Sequence, residues 1–249
     1  MSVVNILGYP VSLASAQACA REMDAWIDAG EGCRIVSCIN PHSYASAKKL
    51  PEFAAALRAA DWLLPDGIGV VIAGKLTGID GLQRVTGSDI FAALCARLDA
   101  RGGRKVFFLG STKATLGRIQ ARMTADYPGI EIAGTLSPPF KDRFTPDEIR
   151  RQCELINASG ADVLWVGMTA PKQEVWLEAA RPYLKVRVAG AIGAVFDFYA
   201  GTISRPSRLT QALGLEWFAR WVREPRRLWS RVFVSGPTFL FDVLWARRS

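Results

Sequence analysis

From Arg34 to Ala189 the chain alternates short apolar runs of strand character with longer helix-like stretches, an order that leaves few folds open. Arg34 to Ile39, Trp62 to Leu64, Lys105 to Leu109, Ile130 to Ala133, Asp162 to Val166 and Val186 to Ala189 read as strands. Ser43 to Ala60, Ser88 to Arg101, Thr112 to Tyr127, Pro146 to Ala158 and Lys172 to Ala180 read as helices. Such alternation predicts an α/β fold, a parallel sheet covered by helices. With 249 residues and 50% hydrophobic content, the chain has enough apolar material for that core plus an appendage. No internal repeat or low-complexity tract is visible. Gly201 to Pro206 reads as a junction between a core over residues 1–203 and a C-terminal appendage over 204–249.

Asp66 stands where the run Trp62 to Leu64 stops at Pro65, and Gly67 and Gly69 let the backbone turn tightly after it. A carboxylate at a rigid strand end sits where α/β sheets place their chemistry. The same segment also fits an Asp-Gly turn in which the carboxylate bonds its own backbone. Two strand-to-helix turns carry further candidates. Gly110, with Ser111 and Thr112, opens a helix whose free N–H groups suit a phosphate, although an ordinary Ser/Thr cap has the same look. After Gly167, which permits close approach, Pro171 suits a first helical turn, and Lys172, Gln173 and Glu174 bring cationic, amide and acidic groups to one opening.

Several chemistries are excluded by residue type. His42 is the single histidine, so multi-histidine zinc sites cannot form, and beside Pro41 it reads as a loop residue. No Asp-x-Asp pair occurs, which disfavours a carboxylate clamp for a metal-bound diphosphate, and neither a metal nor a cofactor is expected. Gly67-Ile-Gly69 begins a dinucleotide fingerprint, but Ile72 takes the third glycine position; no P-loop follows Gly110. Five cysteines without CxxC spacing fit reduced thiols, and an N-terminus without a basic leader fits a cytoplasmic protein.

The net charge of +8 is concentrated at the C-terminus, where nine arginines face three acidic residues from Ser204 onward. On a helical wheel Arg220, Arg227 and Arg231 cluster opposite Trp217, Trp221, Leu228, Trp229 and Val232, with Pro225 dividing the pattern into two helices. The run Val232 to Ala246 is too short and too interrupted to span a bilayer. A basic amphipathic tail fits an anionic membrane surface, a hairpin packed on the core, or nucleic acid. No recognised nucleic-acid module accompanies it.

Taken together, these motifs resemble the WecG/TagA/CpsF glycosyltransferases, glycosyltransferase family 26. The resemblance is carried in order by Ile6 to Pro10, Asn40-Pro41, Leu64 to Gly69, Arg84 to Asp89, Phe108 to Gly110, Pro171 to Glu174, Gly193 to Gly201, and Gly214 to Trp217 with Arg220, Glu224-Pro225 and Arg227. It implies a Rossmann-like, GT-E-like core and inverting transfer from a UDP-sugar to a glycan on a polyprenyl diphosphate, at the cytoplasmic face of the inner membrane. By resemblance Asp66 is the general base, and the appendage folds over the site so that Arg220 and Arg227, with Arg231 as a third member, stabilise the leaving diphosphate. Gln173 and Lys172 are candidates for the donor or its diphosphate, Gly110 for a phosphate, and Arg84 and Asp89 for the sugar site, where Asp89 also fits a plain helix cap. Asn40 belongs to the substrate site. Cys38 stands where relatives often carry a hydroxyl, and a thiol is a poor hydrogen-bond partner, so contacts there are expected to differ.

The resemblance leaves open the donor (UDP-N-acetylmannosamine, its uronic acid, UDP-glucose or another hexose), the acceptor sugar and the oligomeric state. The competing readings are a nucleotide-dependent oxidoreductase, against which the missing third glycine counts, and a noncatalytic protein binding membrane or nucleic acid through its tail. Nucleic acid is not expected as a partner.

Overall fold

Strands buried on both sides cover their two faces with different helices, and the alternation of side chains along each strand decides which residue meets which layer. A computed structural model of the chain describes residues 2–203, Trp229 and residues 231–247, the side chains of Arg231 and Val232 excepted. The strands are β1 (Val3–Ile6), β2 (Tyr9–Ser12), β3 (Arg34–Ile39), β4 (Trp62–Pro65), β5 (Arg104–Gly110), β6 (Ile130–Leu136), β7 (Val163–Gly167) and β8 (Val188–Ala191). The helices are α1 (Ala16–Ala29), α2 (Pro41–Ala47), α3 (Pro51–Ala59), α4 (Ile68–Leu76), α5 (Gly87–Arg101), α6 (Lys113–Asp126), α7 (Pro146–Ala158), α8 (Lys172–Ala180), α9 (Val195–Tyr199) and α10 (Gly236–Ala246).

Among the described residues the strands form one sheet in the order β1-β2-β4-β3-β8-β7-β5-β6. Every pairing is parallel except that of the edge strand β1 with β2. Val106, Phe108, Val163 and Trp165 pack one face against α1, α5, α6 and α9. Phe107, Leu109, Leu164 and Val166 pack the other against α7 and α8, and Ile39 and Leu63 extend that layer beneath α2, α3 and α4. The chain leaves β5 outward to β6 but leaves β7 inward to β8. Diverging connections from neighbouring strands open a crevice above their C-terminal ends, the usual ligand position in open α/β sheets.

The expected α/β architecture is present, with differences that have local causes. The stretch Ser43 to Ala60 is two helices, because Pro51 has no N–H to continue a helix and Leu50 before it is extended. The first of these starts at Pro41, so His42 lies in a helix and not a loop. Leu7 and Gly8, with φ of 52° and 83°, fold the N-terminal apolar run into the β1–β2 hairpin. Pro171 stands at the N-cap of α8, before its first turn.

The C-terminal helix α10 packs on α2 and α4. Phe239 and Val243 are buried in the core, and the Phe239 ring meets Tyr44 edge-on at 5.2 Å. Tyr44 donates to Asp242 at 2.8 Å, and Lys48 lies 2.6 Å from the same carboxylate. Burying a Phe and a Val contributes about 1.5–3 kcal/mol each, whereas a half-exposed ion pair contributes about 0–1 kcal/mol. Apolar burial therefore holds the helix down and the ion pair sets its register.

Candidate active site

Asp66 and Asn40 leave neighbouring parallel strands at the same level, since Ile39 pairs with Pro65 and the Asp66 N–H donates to the Ile39 carbonyl at 2.8 Å. Gly67 takes φ +100°, so the chain reverses immediately and α4 starts at Ile68. Asn40 is the N-cap of α2; its Oδ1 accepts from the N–H groups of His42 and Ser43, both at 3.0 Å. With the amide oxygen committed to the helix, Nδ2 faces Asp66 and donates to Oδ2 over a long 3.4 Å. The helix cap thus presents a hydrogen-bond donor to the carboxylate.

Cys38, two residues before Asn40, is partly buried on the same strand. Burial pushes its thiol well above its ordinary pKa, and the charges of Asp66, Glu174 and Asp89 push it further. Three carboxyl groups therefore share its surroundings, and the sulfur stays protonated, which removes it as a nucleophile. Val85 donates to the Pro65 carbonyl at 3.0 Å, laying the loop before α5 beside the end of β4. Arg84, Val85 and Asp89 line a cleft of about 470 Å³ with Ser15 and Gln17. Asp89 closes the capping box of α5, its Oδ2 accepting from the Thr86 N–H at 2.9 Å and the Thr86 hydroxyl at 2.8 Å. The capping reading of Asp89 is thus realised at the wall of the cleft.

At the crevice between β5 and β7, Gly110 has φ +116°, and a Cβ there would lie 2.6 Å from the Gly167 carbonyl oxygen. The glycine lets two strand ends touch. Thr112 caps α6, accepting from the Thr115 N–H at 3.1 Å. The close approach permitted by Gly167 is to protein, because a Cβ there would meet the Phe196 ring at 2.3 Å. Gly69 likewise makes room for Pro41, whose Cγ would sit 2.6 Å from an added Cβ, so it serves the contact between α2 and α4.

Gln173 is buried, and both ends of its amide are engaged within the protein. Oε1 accepts from the Gly193 N–H at 3.0 Å, and Nε2 donates to Glu174 Oε1 at 2.8 Å. It braces the turn after β8. Glu174, 4% exposed, has no partner for Oε2 among the described residues. Desolvation raises its carboxyl to about 7, against the opposing hydrogen bond from Gln173. Sequence reasoning placed Glu174 in the motif without a role. Its signal was readable, since Gln173, Trp176, Leu177 and Ala180 repeat at helical spacing as the buried stripe of α8 with Glu174 beside them. Lys172 points the other way, its Nζ 4.7 Å above the Phe140 ring.

The structure thus brings Cys38, Asn40, Asp66, Arg84 and Asp89 to one part of the sheet's C-terminal edge, and Gly110, Lys172 and Gln173 to the neighbouring crevice. Arg220 and Arg227 lie outside the described residues. Arg231 opens a π-helical turn (Arg231–Ser235), and its side chain lies outside the description. Ser235, which ends that turn, has its Oγ 3.0 Å from His42 Nδ1, so the appendage is fastened beside Asn40. Among the described residues no group of three or more His, Cys, Asp and Glu side chains could hold a metal ion. Likewise, no helix among them is long and apolar enough to cross a membrane.

A model of the glycosyl transferase WecG/TagA/CpsF family matches residues 4–249. The N-acetylglucosaminyldiphosphoundecaprenol N-acetyl-beta-D-mannosaminyltransferase of Bacillus spizizenii strain W23 is 34% identical over 224 residues, 90% of this chain and 83% of that protein. The protein of the same description from Bacillus subtilis strain 168 is 28% identical over 210 residues, 84% of this chain and 78% of that one.

Proposed function

This chain belongs to the WecG/TagA/CpsF glycosyl transferase family, and from that premise we propose that it transfers a sugar from a UDP-sugar to a polyprenyl-diphosphate-linked glycan with inversion. The observation that carries the mechanism is the Asp66 carboxylate, held at the end of β4 with the Asn40 amide as its donor. As the acceptor oxygen attacks the anomeric carbon, Asp66 takes its proton. The bond from that carbon to UDP breaks on the opposite face, and its electron pair goes to the diphosphate. Arg220 and Arg227, with Arg231, neutralise that charge, supported by the N–H groups that open α6. Arg84, Asp89 and Cys38 shape the sugar site.

The relatives' names support N-acetylglucosaminyl-diphosphopolyprenol as acceptor and UDP-N-acetylmannosamine as the first donor to test. The exposed Trp229, Phe233, Val234, Phe241, Leu244 and Trp245 of the C-terminal segment, together with the arginines its sequence carries, support contact with an anionic membrane surface. This reading places the protein at the cytoplasmic membrane face, where its acceptor is held, with the appendage over residues 204–249 acting as lid and contact.

Mixing donor and acceptor is expected to release UDP and to add one sugar mass to the lipid-linked glycan. Failure with every UDP-sugar would remove the reading. The same reaction is expected to persist in EDTA, and loss restored by Mg²⁺ or Mn²⁺ would show a metal-dependent transfer instead.

Asn40→Asp gives a subtler expectation. Asp caps helices as well as Asn, so α2 survives, but a second carboxylate then faces Asp66. Like charges raise the proton affinity of the pair. The acid limb of the kcat/KM profile is therefore expected to move to higher pH, and an unmoved limb would detach Asn40 from Asp66.

A further inference from the structure

Glu174 is buried on α8 beside Trp176 and Leu177, where an apolar side chain would need no partner. Burying a carboxyl is costly unless its oxygens are served, yet Oε2 has no hydrogen-bond partner among the described residues. Oε1 has a single task, accepting from Gln173 Nε2 at 2.8 Å. A glutamine amide can turn end for end with little change of shape, and a carboxyl oxygen facing it selects the N–H end. Gln173 Oε1 is thereby committed to the Gly193 N–H at 3.0 Å. That N–H also reaches the Val166 carbonyl at 3.3 Å, so Gln173 is not needed to satisfy it. What the pair of side chains adds is direction. The helix that carries them is anchored from behind, Trp176 Nε1 donating to Gln152 Oε1 at 2.6 Å.

The turn they hold lies in the middle of the site. Gly193 follows β8, which is two inter-strand steps from β4 and Asp66 and one step from β7 and the Lys172 opening, roughly 10 Å and 5 Å at about 4.8 Å a step. A sugar diphosphate reaching from Asp66 to that opening passes over it. The turn also touches both flanks. A Cβ on Gly193 would lie 3.3 Å from the Met168 carbonyl oxygen, and one on Gly87 would lie 3.3 Å from Val195 Cγ2 and 3.4 Å from the Ile192 Cα. Gly87 opens α5 directly after the loop that carries Arg84 and bonds Pro65 through Val85. A displaced Gly193 turn would therefore also push on the loop beside Asp66.

We propose that Glu174 is a positioning residue for transfer: through the Gln173 amide it fixes the Gly193 turn as the floor beneath the reacting sugar, between Asp66 and the leaving diphosphate. This rests on the transferase reading and adds to it a residue that touches no substrate. In-line displacement needs its three participants aligned, and a misplacement of about 1 Å costs up to about 100-fold in rate.

The test is steady-state transfer, together with calorimetric titration of UDP, for full-length wild type, Glu174→Gln, Glu174→Asp and Glu174→Met. Gln reaches as far as Glu and offers an acceptor oxygen without the charge. Asp keeps the charge but stops one methylene short of Gln173, and Met fills the space with neither. Glu174→Gln is expected to rescue wild-type kcat, whereas Glu174→Asp and Glu174→Met lose about 10- to 100-fold in kcat. Donor KM and UDP affinity should stay at the wild-type level in all three, as they do when only the transition state is misaligned. Melting temperatures accompany each assay, and if Glu174→Met does not fold the comparison of Gln with Asp decides. Wild-type kcat in Glu174→Asp, or a Glu174→Gln as slow as Glu174→Asp, would overturn the inference. Loss of UDP affinity alongside kcat would also overturn it, since Glu174 would then be holding up the crevice as a whole. A wild type that transfers no sugar would overturn the transferase reading and the inference with it.

Discussion

Asp66→Asn is expected to fold normally and to transfer sugar about 100- to 10,000-fold more slowly, the usual contribution of a general base. The amide has the size of the carboxylate and can still meet the Asn40 side chain, so the strand end, the Gly67 turn and the start of α4 keep their geometry. What disappears is the proton acceptor. KM for the donor should change far less than kcat, because the proton leaves the acceptor only as the new bond forms. Melting temperature and steady-state kinetics on the same preparation check this. A folded variant with near-wild-type turnover would remove Asp66 from the chemistry.

Glu174 makes stability depend on pH with a definite sign. Its carboxyl titrates at about 7 in the fold against an ordinary 4.5, so between those values the native state holds a proton that the unfolded chain has released. Stability therefore falls as pH rises through this window, and the whole penalty is present above it. At 1.36 kcal/mol per pH unit the full effect is roughly 3 kcal/mol. Glu174→Gln keeps an acceptor for Gln173 and cannot ionise. Relative to this variant, wild type is expected to lose roughly 2–3 kcal/mol of unfolding free energy between about pH 5 and about pH 8. Urea denaturation of both proteins at each pH reads the difference, in which other titrating groups cancel. Parallel profiles would mean that Glu174 is solvated or partnered.

Features marked by local punctuation were legible in the sequence. The helices Pro146–Ala158 and Lys172–Ala180 and the strand Arg34–Ile39 have the limits their residues announce, because prolines, caps and changes of period act over a few positions. Asp66 was visible for the same reason. Legibility failed where tertiary contact overrides propensity. The Gly- and β-branched-rich stretch Ile68–Leu76 is helix α4, seated against α10, with Gly69 close to Pro41 of α2. Neither the neighbourhood of Asn40 and Asp66 nor the engagement of the Gln173 amide on Gly193 follows from local residues, since both depend on strand order.

That strand order also sets when the machinery can exist. Among the described residues the last strand to be synthesised, β8, is the one that joins β3 to β7. While the ribosome is still making residues before Val188, the segment bearing Asp66 and the segment bearing Gly110 and Lys172 have no shared sheet, and pairings this distant in sequence form slowly. Until then the nascent chain exposes two unfinished edges, which are templates for misassociation. Asp66 and the crevice at Gly110 and Lys172 thus come into register only once β8 has been made, so a chain terminated before Val188 cannot bring the two together.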